Sequence, residues 1–349
     1  MDTKFYAYFL PQFYPTPEND AHWGKGFTEW TNINKAKKLF KEHKQPLKPK
    51  DLGQYDLSEK RDLEKVIKYS QKINLDGLIY WHYWFGNDFI TLEKVPKNHL
   101  KNKTITQNFC FAWANGDWKK SWKGDDKTVI FKQTYSEQSA LDHFEYLKPF
   151  FKDNRYLKFE GKFLFQVNNV INKEVLRHMQ ILNKQSVQHF GVPIHFLIPK
   201  CPLRVKINDL DYSLTSYPPG EIYSPLVSYK VQRVLKILKL LKRPIVISEK
   251  GYLKSFKKFL SKNPELIPCI LPGWDNTPRY GKNGVVVNAH IPTLIEKQVT
   301  TLLKSKIDSP IILVKAFNEW AEGNILEPYQ LNGKSFYPKE GLRMKKQIH

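Results

Sequence analysis

The amino-acid sequence predicts an α/β fold, a single (β/α)8 barrel, from three observations. Eight short apolar runs recur along the chain, the segments between them often carry helical spacing, and several runs finish in a polar or aromatic cluster. Runs without polar alternation read as strands buried on both faces, and parallel neighbours need a long return, which a helix supplies. Closed barrels place their chemistry where the strands finish, and the clusters stand there. An open doubly wound sheet shares the alternation but needs a glycine-rich turn after an early strand; GKNG at 281–284 does not supply it.

The elements follow in order. The first run is KFYAYFLPQF (4–13), and after it comes a long Pro- and Lys-rich excursion, 14–56. That excursion contains HWGKGFTEWTN (22–32), whose aromatic content predicts an ordered flap over the barrel mouth. SEKRDLEKVIKYSQKIN (58–74) reads as a helix with Ser58 as cap candidate. DGLIYWHYWF (76–85), NFCFAWANGDW (108–118) and KFLFQVNN (162–169) are the next runs. NKEVLRHMQILNKQSVQHFG (172–191) reads as a helix ended by Gly191. PIHFLIP (193–199), DYSLTSYPP (211–219), LIPCILPGWDN (266–276) and PIILVKAFNEW (310–320) complete the eight. No repeat or low-complexity linker interrupts them, so residues 1–349 are expected to form one domain.

Hydrophobic residues make up 41% of the 349, enough for a large core. Aromatics make up 14%, with nine Trp, which suits flat sugar rings and equally a Trp-rich core. The formal charge of +22 gives a long-range positive potential. Its lysines are dispersed, as in KKSWKGDDK, KNKT and KSKID, and no nucleic-acid signature appears, so no specific nucleic-acid partner is expected. Cys110, Cys201 and Cys269 form no pair motif, which fits a reducing compartment. The opening MDTKFYAYFLPQFYP carries Asp2 and an apolar run too short for a secretory signal, and no stretch of about 18 apolar residues exists. A cytoplasmic location is the expectation. VQRVLKILKLLKR (231–243) places Val231, Val234, Leu235, Leu238 and Leu241 at helical spacing, either to cover the barrel or to lie in a membrane plane. With the positive charge, peripheral contact with anionic membrane at the inner face of the cell membrane joins the expectations. Metal and cofactor are expected to be absent: no HExxH occurs, and Asp209-Leu210-Asp211 only weakly echoes the DxD of metal-dependent sugar transferases.

The stretch FNEWAEGNILEP (317–328) concentrates acid in a chain otherwise short of it. Glu319 and Glu322 are three apart, which puts both carboxylates on one side if a helical turn follows the strand. Two carboxylates in distinct environments are the minimal machinery for glycosidic chemistry, and crowding raises the pKa of one of them. The alternative is a pair of first-turn acids favoured by the helix dipole. Asn318 and Trp320 suit a sugar site, and Glu327 reads as a loop or supporting acid. His82, Tyr83 and Trp84 end the second run, where alternate side chains point into the mouth. Trp113 with Asn115, and Trp274 with Asp275, repeat the pairing of an aromatic with an amide or acid.

Six segments carry a resemblance: YFLPQFYPTPEND with HWGKGFTEWTN (8–32), DLGQYDL (51–57), GLIYWHYWF (77–85), FAWANGDWKKSWKG (111–124), GWDNTPRYG (273–281) and FNEWAEGNILEP (317–328). In this order they resemble the WbsX-type glycosyltransferase family, itself similar to glycoside hydrolase family 99, the endo-alpha-mannosidase-like enzymes. The resemblance implies a (β/α)8 barrel and a retaining reaction. It gives Glu319 the role of a base on the sugar's own 2-hydroxyl, forming an anhydro-sugar, and Glu322 that of acid/base. It adds Tyr8, Gln12 and Trp30 to the substrate-binding expectation. The chain departs from the family pattern at WANGDW (113–118), where WANENW is usual, and at EGKFLFQVNN (160–169), which lacks a Tyr-Arg or Tyr-Lys ending. The implied function is glycosyl transfer in bacterial surface polysaccharide (lipopolysaccharide or capsule) synthesis, on an oligosaccharide or lipid-linked glycan. The rivals are an endo-acting hydrolase of α-linked mannan-like glycan and a non-catalytic glycan-binding protein.

Overall fold

The structure is a computed structural model that describes residues 3–86, 89–120, 127–201, 203–305, 307–339 and 342. Asp2 and the end of the FAWANGDWKKSWKG segment lie outside the described residues. Eight parallel strands form the barrel: β1 (Lys4–Phe9), β2 (Gly77–Gly86), β3 (Phe109–Trp113), β4 (Lys162–Val167), β5 (Ile194–Pro199), β6 (Asp211–Thr215), β7 (Cys269–Ile270) and β8 (Ile311–Val314). Each coincides with one of the eight apolar runs, β2 passing the end of its run by one residue, Gly86. They pair in the order β6-β5-β4-β3-β2-β1-β8-β7, with β1 beside β8. A narrow seam joins β6 to β7: Ile267 N–H donates to Leu214 at 2.9 Å, Ser216 N–H donates to Ile267 at 3.0 Å, and Cys269 N–H donates to the Ser216 hydroxyl at 2.7 Å.

Helices Lys60–Lys72, Lys94–Lys101, Glu137–Phe151, Lys173–Phe190, Glu249–Lys262 and Ile291–Leu303 return the chain between strands. Among its described residues the fifth crossover, 200–210, contains none. Asn172 caps its helix by accepting from Val175 N–H at 3.0 Å, and Gly191 ends that helix with φ +65°, a conformation that favours glycine. Ser58 is not a cap: Glu59 occupies that position, and the Ser58 N–H donates to Asp56. The flap contains helices Pro17–Trp23 and Glu29–Ile33, and its Lys48–Pro49 strand pairs with Tyr329–Leu331.

The phase of β2 decides what faces the mouth. Trp81 and Tyr83 point inward, whereas Tyr80, His82 and Trp84 point out toward the helices. Tyr80 Oη lies 2.9 Å from His99, His82 lies 2.8 Å from His143, and Trp84 stacks on His143 with centroids 4.8 Å apart. Trp113 also faces outward, against His143 and His178. The expectation that His82, Trp84 and Trp113 line the mouth is therefore corrected. The Asp209-Leu210-Asp211 echo lies at the opposite end of the barrel, where Asp211 starts β6 and pairs with Lys162 at 2.9 Å. In the Val227–Ile237 helix no residue is buried, so its apolar stripe does not cover the barrel.

Candidate active site

The chain leaves β8 through a small hairpin in which Asn318–Glu319 pairs with Asn324–Ile325. Residues Trp320–Glu322 form a single 3-10 turn that reverses it. Such a turn has three residues per revolution, so side chains three apart eclipse one another, and Glu319 and Glu322 fall on one side. The turn is tightly seated: a Cβ on Gly273 would stand 2.5 Å from the carbonyl of Gly323, which itself adopts φ +62°.

The two carboxyls hydrogen-bond to each other, and their surroundings drive them apart in acidity. Burial first, then the charge of Glu322, raises Glu319 well above the usual carboxylate range, although Lys315 and Arg279 oppose this. Burial also works against ionised Glu322, but Arg279, Lys315 and the hydrogen bond from Glu319 outweigh it and hold Glu322 below that range. The surroundings thus favour the protonated form at Glu319 and the ionised form at Glu322. Trp81 Nε1–H donates to Glu319 Oε1 at 2.8 Å, and Arg279 Nη1 donates to Glu322 Oε1 at 2.7 Å. Arg279 also reaches Glu29 at 2.8 Å, and the same Glu29 oxygen accepts from Ala321 N–H at 3.0 Å, which fastens the flap to the turn that bears the carboxyls.

Around the pair stand Tyr83, Tyr217 and Lys315. The Tyr217 phenol is raised well above its ordinary pKa by burial, then by the charges of Glu319 and Glu322. Lys315 Nζ lies 4.0 Å from the Tyr217 ring centroid and 5.5 Å from that of Trp274. Among the described residues no carboxylate lies within ion-pair distance of Lys315. Tyr8 stacks beneath Trp81 with centroids 5.2 Å apart and donates to Gln166 at 2.7 Å, forming the floor.

Of the residues expected in the site, Glu319, Glu322, Tyr8, Tyr83 and Trp274 come together. Others hold the scaffold. Asn318 accepts from Leu10 N–H at 2.7 Å and donates to its carbonyl at 3.0 Å, tying the last strand to the first. Asn115 bridges to the backbone of Asn169 in both directions. Asp275 pairs with His43 of the flap at 2.8 Å and accepts from Thr277. Trp320 donates its indole N–H to Glu327 and packs on Trp30, whose own indole donates to the Tyr55 carbonyl at 2.9 Å. Tyr55 donates to Glu327 at 2.9 Å, and burial pushes Glu327 up to about 8. Gln12 is fully buried, and among the described residues its side-chain amide has no hydrogen-bond partner.

Trp81, Glu29, Arg279, Lys315 and Tyr217 were not anticipated from sequence. Glu29, Arg279 and Trp81 sit inside the recognised segments, next to residues that were singled out. Among the described residues no group of His, Cys, Asp and Glu has the arrangement of a metal site.

The model of the family described as glycosyltransferase WbsX matches residues 5–339. The chain belongs to the WbsX glycosyltransferase family. It is similar to the proteins named uncharacterized protein WxcX from two strains of Xanthomonas campestris pv. campestris. It is 28% identical to the one from strain B100 over 334 residues, which is 92% of this chain and 47% of that relative. The chain thus spans about half the length of these curated relatives. Among solved structures, the GH99 endo-alpha-mannosidase from Bacteroides thetaiotaomicron superposes with TM-score 0.56 at 12% identity, covering 100% of this chain and 97% of that one. A glycoside hydrolase-like protein superposes with TM-score 0.62 at 13% identity, covering 99% and 94%. At these identities the likeness is one of fold, a (β/α)8 barrel.

Proposed function

We propose that this WbsX-family chain is a retaining glycosyltransferase that builds a bacterial surface polysaccharide on a lipid-linked glycan, working peripherally at the inner face of the cell membrane. The observation that carries the reading is the buried Glu319–Glu322 pair, presented by one turn after the last strand, with Trp81 on one carboxyl and Arg279 on the other. The family resemblance supports a two-step course. Glu319 takes the proton of the donor's 2-hydroxyl, that oxygen closes onto the anomeric carbon, and Glu322 protonates the departing oxygen. Glu322 then takes the acceptor hydroxyl's proton as the acceptor oxygen attacks the anomeric carbon, and Glu319 returns its proton to the 2-oxygen. Burial favours the protonated form of Glu319 in the free protein, so these roles require a proton to pass from Glu319 to Glu322 before the first step. Lys315 favours transfer over hydrolysis: a cation in the mouth without a carboxylate partner suits a donor that departs as phosphate or diphosphate.

The test is incubation of the full chain with nucleotide- or lipid-diphosphate sugars and, separately, with α-linked mannan-like glycan. Product on an acceptor supports transfer, and release of free reducing sugar from the glycan supports the endo-hydrolase. Glu319→Gln and Glu322→Gln are each expected to cut turnover at least about a thousandfold, in the range of lost acid–base groups, with sugar binding retained. Unchanged turnover in both would leave only a glycan-binding role.

A further inference from the structure

The connection from β6 to β7 begins with Tyr217 beside the carboxylates and continues into the Val227–Ile237 helix. Val227, Val231, Val234, Ile237 and Leu238, with Leu240 just beyond, are between 53% and 75% exposed. They are six of the ten exposed large hydrophobic side chains among the described residues. Val227, Val231, Val234 and Leu238 follow at spacings of four, three and four, which is one face of the helix. That face does not hold the helix in place. The opposite side does so: Tyr229 packs half-buried against the core, Gln232 bonds Val246 N–H at 3.0 Å and its carbonyl at 2.8 Å, and Lys236 reaches the Lys282 carbonyl at 2.6 Å.

The charges beside the stripe are of one sign. Lys230, Arg233, Lys236, Lys239, Lys242 and Arg243 lie in a segment with no acidic residue between Glu221 and Glu249. Among the described residues Lys230, Arg233, Lys239 and Lys242 have no ion-pair partner. A second copy docked on this face by two-fold symmetry would bring these cations against themselves, which costs affinity. A water-facing helix has no use for six large apolar side chains on so small a patch. An apolar stripe edged with uncompensated cations is the pattern of a helix that lies in the headgroup layer of an anionic bilayer.

We propose that the Val227–Leu240 segment is an in-plane docking surface for anionic phospholipid, seating the barrel mouth beside the membrane. Val231, Val234 and Leu238 enter the acyl boundary, and Lys230, Arg233, Lys239 and Lys242 meet headgroup phosphates. The inference goes beyond the catalytic reading and does not depend on it, because vesicle binding is measured without turnover.

The test is co-sedimentation of the full chain with vesicles of phosphatidylcholine alone and of phosphatidylcholine with phosphatidylglycerol, at low and high salt. The wild type is expected to sediment with the anionic vesicles and to be released partly by salt. One variant carries Val231→Asp and Val234→Asp; the other replaces Lys230, Arg233, Lys239 and Lys242 by Gln. At about fivefold per basic residue near an anionic surface, the second variant is expected to bind more than about a hundredfold more weakly. The first is expected to lose binding by at least about tenfold. Both are expected to melt as the wild type does, since the altered side chains are exposed. A wild type that stays in the supernatant with anionic vesicles overturns the proposal. Loss of binding in the charge variant alone overturns the apolar insertion. A wild-type dimer in sedimentation velocity that Val231→Asp/Val234→Asp dissociates, without vesicle binding, assigns the face to a second copy instead.

Discussion

Replacing Arg279 with Met tests the charge arrangement at its hinge. Arg279 sits 2.7 Å from Glu322 and 2.8 Å from Glu29, and the side chains are 10%, 14% and 0% exposed. At an effective dielectric constant near 20, each contact has a gross Coulomb energy of about 4 kcal/mol at 4 Å, much of it offset by the desolvation of the ions. Methionine fills similar volume but leaves two buried carboxylates uncompensated, and breaking a buried pair costs about 3–5 kcal/mol. Against a total stability of about 5–15 kcal/mol, the loss is readily measured by urea unfolding at neutral pH. Glu322 has its pKa depressed in the folded state, so its stabilisation is present above the ordinary carboxylate pKa and is lost as pH falls through the folded value. The gap between wild type and Arg279→Met is therefore expected to be widest near neutrality and to close on acidification. Adding Glu29→Gln to Arg279→Met is expected to recover part of the loss. A loss below about 1 kcal/mol, independent of pH, would refute the reasoning, since the three groups would then behave as solvated surface charges.

Glu327 titrates in the other direction: raised from 4.5 to about 8, it favours folding below its ordinary pKa, and that contribution is lost as pH rises through about 8. Glu327→Gln is expected to flatten the stability profile between these limits by several kcal/mol, at about 1.4 kcal/mol per pKa unit, read from denaturant midpoints at stepped pH. Lys315→Met removes a cation that lowers both catalytic carboxyls, so the pH–rate profile is expected to move toward higher pH by up to about one unit; an unmoved profile would place Lys315 outside their field. Trp81→Phe deletes the donor to Glu319 and is expected to lower kcat about tenfold or more. His82→Phe, adjacent to Trp81 in sequence but on the outer side of the strand, is expected to leave kcat intact while costing about 1–3 kcal/mol through the bond lost by His143.

The barrel was legible because burial on both faces writes most of its strands as near-continuous apolar runs, with β6 (DYSLT) the polar exception, and eight runs at such intervals leave few other architectures. That same property hid the phase of β2. In a strand buried on both faces, no alternation of polar and apolar residues marks the inner side, so Trp81 and His82 could not be told apart by pattern. The acid pair was legible from its spacing, although the turn that presents it is 3-10 and not α. Glu29 and Arg279 were hidden for another reason: each is a single charge in a short helical turn, 250 residues from the other, and only folding makes them one ion pair. Asn115, Asn318 and Asp275 read as sugar contacts because polar residues at strand ends do either job. Here their side chains secure the backbone or the flap.

The clasp of Asn318 on both backbone groups of Leu10 spans 308 residues of sequence. During synthesis the first strand leaves the ribosome long before its partner exists, and Glu29 waits for Arg279 and the Ala321 amide in the same way. A nascent chain halted before residue 310 would own most of the walls yet lack Glu319 and Glu322. Glu319, Glu322 and the Ala321 amide thus join the barrel together, with the hairpin that follows the eighth strand.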